Sequence, residues 1–134
     1  MTRNYRNLRV ILTSALVTFA LTNSASAGFC GNYVQTSSNA GDCPTCKLLI
    51  ADNPEIQKYF VTANNGWEAD LSWTHGDDST ATGSGRWNNN VGHALAGRSF
   101  DIDMNQQGRT LNVTMSFSGD GNNAPVRATF NCLD

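Results

Sequence analysis

The hydrophobic pattern is clearest between Arg98 and Cys132. Phe100, Ile102 and Met104 alternate with Asp101 and Asp103, and Leu111, Val113, Met115 and Phe117 alternate with Asn112, Thr114 and Ser116. A period of two puts all the apolar side chains of a strand on one face. Asn105-Gln106-Gln107-Gly108 interrupts the two runs, and a loop of two or four residues around Gly108 sets Met104 opposite Leu111 or Arg109. After the turn-rich stretch Gly119 to Asn123 the alternation resumes with Val126, Ala128, Phe130 and Cys132. These segments predict a three-stranded antiparallel meander with one dry and one wet face.

The same period appears upstream. Tyr59, Val61 and Ala63 alternate, Asn64-Asn65-Gly66 breaks the run, and Trp67, Ala69, Leu71 and Trp73 follow. A three-residue loop with Gly66 left-handed opposes Ala63 with Trp67, Val61 with Ala69 and Tyr59 with Leu71, which buries more apolar surface than a two-residue turn. After a polar turn at His75 to Ser79, Ala81, Gly83, Gly85 and Trp87 share a face, with the glycines expected to make room for the indoles of Trp67 or Trp73. Asn88 to Gly97 reads as a long loop. Gly31 to Asp42 reads as an irregular loop, and the rest of residues 28–57 carries mixed signals and stays unassigned. Six strands, with one or two more available from that segment, predict an all-β fold: a small antiparallel up-and-down barrel or a sandwich of six to eight strands. A barrel is preferred because closure removes exposed sheet edges.

The first 27 residues lie outside this pattern. Arg3, Arg6 and Arg9 precede an uncharged apolar run, Val10 to Leu21, and Ala25-Ser26-Ala27 closes the segment. That order is the signature of a secretory signal peptide cleaved after Ala27. The apolar run is too short to span a bilayer, so residues 28–134 are expected as a single β domain, secreted or periplasmic, without membrane insertion after processing. Six Lys and Arg then remain against eleven Asp and Glu, a net charge of −5. So acidic a chain is a poor partner for nucleic acid.

Export also favours oxidation of Cys30, Cys43, Cys46 and Cys132 to disulfides. Cys43-Pro44-Thr45-Cys46 has redox-motif spacing but lacks the strand-to-helix context that depresses a thiol pKa, so staples are the better reading. Of the three connectivities, Cys30 with Cys43 and Cys46 with Cys132 is preferred by a narrow margin.

Candidate chemistry follows from the loops. Alternate loops of a meander share an end, which gathers Asn64 to Gly66, Asn88 to Gly97 and Ser118 to Ala124 at one mouth. Trp87, Asn88, Asn89, Asn90, His93, Asn122 and Asn123 are the candidate ligand-binding residues there: amides both donate and accept, and an indole stacks on a sugar ring. The expected function is an exported, non-enzymatic binding protein whose partner is a carbohydrate or another secreted protein, inhibition of that protein included. The alternatives are a small hydrolase using two of Glu68, Asp70, Asp101 and Asp103 in one cleft, and a structural cell-envelope protein. No catalytic frame is evident, and no cofactor or metal is expected. His75 with Asp77 and Asp78, and Asp120 with Asn122, follow no recognised ligand spacing. Nothing in the pattern fixes an oligomeric state.

Overall fold

A computed structural model describes residues 28–119 and 124–134, and every regular element among them is a strand. The strands are β1 (Asn32–Ser38), β2 (Lys47–Asn53), β3 (Lys58–Ala63), β4 (Trp67–Thr74), β5 (Asp77–Trp87), β6 (Ser99–Gln107), β7 (Thr110–Ser116) and β8 (Val126–Cys132). Each pairs antiparallel with its sequence neighbours, and β1 pairs with β8, so the sheet closes into an eight-stranded up-and-down barrel. Closure gives every strand a neighbour on both sides, although β1 and β2 pair only from Asn32 to Val34. The expected leader, residues 1–27, lies outside the described residues.

Alternation decides which way each side chain faces. Trp67, Ala69 and Leu71 of β4 point inward beside Ala81 and Trp87 of β5, Phe100, Ile102 and Met104 of β6, and Leu111, Val113 and Met115 of β7. The outward positions carry Glu68, Asp70, Arg86, Asp101 and Asp103, all exposed. A barrel that crosses a membrane shows lipid the reverse arrangement, an apolar outer band.

Several sequence-based registers hold and others do not. The β3–β4 hairpin has the expected pairing, Tyr59 with Leu71 and Val61 with Ala69, and Gly66 sits at φ 108° while its N–H donates to the Ala63 carbonyl. The β6–β7 turn has one of the two expected lengths, two residues, but comes later than expected: Gln107 pairs with Thr110, so Met104 faces Val113 rather than Leu111 or Arg109. The polar run Asn105 to Gln107 belongs to β6, and Gln106 continues the inward series as a buried amide.

Part of the stretch expected as a loop, Gly31 to Asp42, is strand β1. Its alternation is masked by polar residues and by a bulge between Gln35 and Ser37 in the pairing with β8.

Gly83 and Gly85 face inward as expected, but the atoms nearest to them belong to the β4 backbone and to the Phe100 ring rather than to an indole. A Cβ at Gly83 would collide with the Asp70 carbonyl and lie 2.8 Å from the Leu71 Cα, and one at Gly85 would meet a Phe100 ring carbon at 2.5 Å. What excludes a side chain at Gly83 is the close approach of the β4 backbone.

The disulfides are Cys30–Cys132 and Cys43–Cys46, which corrects the preferred pairing. Cys30 and Cys43 lie beyond opposite ends of β1, whose seven residues span roughly 20 Å, far more than a disulfide allows. The closing β1–β8 pair instead brings the Cα atoms of Cys30 and Cys132 to 5.9 Å.

Candidate ligand cavity

The two ends of the barrel are built differently. At the end where β1 begins and β8 finishes, the terminal end, a chain of hydrogen bonds runs across the interior. The Cys30 N–H donates to the Tyr33 hydroxyl at 2.7 Å, that hydroxyl donates to Gln106 Oε1 at 2.6 Å, and Gln106 Nε2 donates to the Gly108 carbonyl at 2.7 Å. Tyr33 is fully buried, and burial pushes its hydroxyl up to about 12. Asp134 ties off the same end. One of its oxygens accepts from the Gly31 N–H at 2.6 Å and the other from Asn32 Nδ2 at 3.2 Å. The Asn32 amide first, then the Gly31 N–H, hold its carboxyl below the ordinary carboxylate range.

The opposite end, where β1, β3, β5 and β7 finish, holds a cavity of about 570 Å3. Eight strands leave an interior just wide enough for side chains to fill or for one small ligand. Here hydrogen-bonded side chains cross it at the terminal end, and the other end is open. Trp67, Trp87, Val113, Met115 and Phe130 line the cavity as buried side chains, with the partly buried Leu95, Val126 and Ala128 beside them. Polar groups come in at the rim through Gln35, Asp42, Asn65 and His93.

Local chemistry holds the rim loops in place. The Cys43–Cys46 disulfide tightens the β1–β2 loop, and the Cys46 carbonyl accepts from the Gln35 N–H at 2.8 Å. Asn64 clamps the β3–β4 turn to the start of β2: its Oδ1 accepts from the Lys47 N–H and its Nδ2 donates to the Thr45 carbonyl. The β5–β6 loop folds back on itself, with the Gly97 N–H donating to the Asn88 carbonyl and the Asn88 N–H donating to the Gly66 carbonyl. That fold presents His93, Ala94 and Leu95 to the cavity and sets the His93 ring edge-on to Trp87, with centroids 4.8 Å apart.

Of the sequence-predicted site residues, the structure brings Trp87 and His93 together in the cavity. Trp87, the last residue of β5, is buried in the wall, opposite Trp67 in the β4–β5 pairing, and its indole N–H has no hydrogen-bond partner. Asn88, Asn89 and Asn90 are exposed on the rim loop and line no part of the cavity. Asn122 and Asn123, with Asp120, lie outside the described residues. Sequence reasoning missed the β1–β2 loop and the β7 and β8 wall as cavity components. The apolar face of Val113, Met115, Val126 and Ala128 was legible as an inward face, but nothing in an alternating pattern says where along a strand the interior stops being filled.

The four carboxylates weighed for hydrolysis are exposed on the outer wall, where Glu68 faces Arg86 across the β4–β5 pair and Asp101 faces Ser84 across β5–β6. Asp77 has a structural role in its turn, accepting from the N–H and hydroxyl of Ser79 and from the Thr80 hydroxyl.

Fold and site together define a class: a disulfide-stapled, closed eight-stranded barrel, apolar inside and polar outside, with one plugged end and one apolar-walled mouth. Compared with protein-family models, with curated proteins and with solved structures, the chain matches none.

Proposed function

We propose that this protein is an exported, non-enzymatic binding protein that takes one small, largely apolar ligand into the mouth of its barrel. The observation that carries this reading is the cavity itself, whose lining is mainly aromatic and aliphatic, with a minority of polar side chains such as Gln35, Asp42, Asn65 and His93. Cavities of this size and lining are where small ligands bury most of their surface. Two disulfides support export, since such bonds persist in oxidising compartments such as a periplasm or the extracellular space. A carbohydrate or a second secreted protein, the partners suggested by the asparagines, would meet the exposed Asn88 to Asn90 ridge instead.

Titration with the neutral fluorophore Nile red, followed by its emission and by tryptophan quenching, tests the reading. We expect saturable one-to-one binding that Ala128→Trp, a side chain large enough to occupy the cavity, abolishes while the far-UV circular dichroism stays unchanged. Absence of binding, or binding that persists in Ala128→Trp, would refute the proposal. A glycan array run on the same protein distinguishes the rim from the cavity.

A further inference from the structure

A second cavity, of about 370 Å3, opens at the plugged end and is lined by Gly28, Phe29, Asp52, Tyr59, Trp73 and Asp78, together with Ile50. Three aromatic rings are packed in series along it. The Phe29 and Tyr59 centroids are 4.9 Å apart in an edge-on contact, and those of Tyr59 and Trp73 are 5.7 Å apart. Two carboxylates from different strands share the cavity, and among the described residues no ion pair neutralises either. Both act on Tyr59: after burial, the charges of Asp52 and Asp78 raise the pKa of its hydroxyl. Aromatic faces and paired carboxylates are the two surfaces that attract an ammonium group.

The chain can supply that group itself. Removal of the leader adds water across the Ala27–Gly28 bond, leaving a carboxylate on Ala27 and an amine on Gly28 that takes up a proton at neutral pH. The new terminus has little freedom to go elsewhere. Cys30, two residues on, is bonded to Cys132, the Gly31 N–H is held by Asp134, and the Phe29 ring is set against Tyr59.

We infer that this cavity is the seat of the mature α-ammonium of Gly28, held between Asp52 and Asp78 over the rings of Tyr59 and Trp73, so that processing completes the closed end of the barrel. The inference rests on the export reading but not on ligand binding at the other mouth. The charged groups lining the cavity are Asp52 on β2 and Asp78 on β5, and the Tyr59 hydroxyl on β3 is the remaining titratable group. Asp134 is engaged with Gly31 and Asn32.

The test uses protein exported and processed from the full-length precursor. Intact mass should place the first residue at Gly28. An NMR titration of isotopically labelled Gly28 should give an amine midpoint about 0.5–1 pH unit above the ordinary α-amine range of about 7.7–8.0, because two exposed carboxylates favour the charged form. The Asp52→Asn/Asp78→Asn double variant, whose altered side chains are solvent-exposed, should return the midpoint to the ordinary range. Tetramethylammonium should leave the Tyr59 and Trp73 resonances of the mature protein unmoved. A first residue other than Gly28, a midpoint unaffected by the double substitution, or saturable tetramethylammonium binding to the mature chain would each overturn the inference. The last result would identify the cavity as a receptor for free organic cations. Failure of Nile red binding would leave all of these readouts unaffected.

Discussion

The two ends of this barrel use the same strands to opposite purposes. At the terminal end the interior is crossed by the buried chain from Cys30 through Tyr33 and Gln106 to Gly108, and the covalent Cys30–Cys132 link joins first strand to last. At the other end the inward positions of β7 and β8 are Val113, Met115, Ala128 and Phe130, and the side chains leave a void. A polar residue placed inside a barrel needs its partners supplied, so it fixes geometry. Apolar residues of moderate size need only neighbours and leave space where none reach. The plugged end is therefore fixed by its own hydrogen bonds, while the open end keeps room for a ligand of the kind proposed above.

The two disulfides offer the largest measurable contrast. Cys30–Cys132 joins residues 102 apart in sequence and Cys43–Cys46 residues 3 apart. On the chain-entropy account, Cys30→Ala/Cys132→Ala should cost about 4–5 kcal/mol and Cys43→Ala/Cys46→Ala about 2 kcal/mol. Chemical denaturation of both variants measures the two costs, and equal costs would mean that the ends do not differ in this way.

Next in size is the wall common to both ends. Gly83→Val forces a side chain against the β4 backbone at Asp70 and Leu71, and should cost about 3 kcal/mol, the upper part of the overpacking range. An unchanged denaturation midpoint would show that the β4 and β5 backbones can separate without loss.

Tyr33→Phe probes the plug alone. It leaves the Cys30 N–H and Gln106 Oε1 without their partner and should cost about 1–3 kcal/mol, with Tyr33→Phe/Gln106→Leu recovering part of it. The same hydroxyl gives a pH signature. Its pKa, raised by burial to about 12 in the folded state, exceeds the unfolded value of about 10. The native state therefore holds this proton more tightly. Its contribution is intact below pH about 10 and is lost as pH rises towards 12. Denaturation across that window should show a shallower alkaline decline in Tyr33→Phe than in the parent protein.

These contrasts also explain which parts of the molecule were legible in the sequence. Strands β4, β6 and β7 announce themselves because their inward residues are apolar and their outward ones charged or polar. β1 does not: Tyr33 and Gln35 point to a plug and a rim rather than to a greasy core, and the bulge after Gln35 breaks the period. Gln106 was read as a turn residue for the same reason, since an amide that finds its partners inside looks like a solvated one in the sequence. The disulfide map depended on β1, so it could not be read before β1 was. For the candidate site, the loop arithmetic placed His93 and Trp87 at one end, and both line the cavity there. The choice of asparagines followed composition, and most asparagines in turns are there for backbone conformation or, like Asn64, to clamp a neighbouring strand.

The Cys30–Cys132 bond has one more consequence, for how the molecule survives damage. Because it joins the two extremities of the barrel, the backbone from Cys30 to Cys132 forms a macrocycle. A single cut by a protease in an exposed rim segment such as Gly92 to Ala94 converts a ring into a linear chain without releasing a fragment. Such a nicked molecule keeps all eight strands covalently connected and, under oxidising conditions, migrates with its original mass. It separates into two pieces only after reduction, so the barrel tolerates one break that an open chain would not.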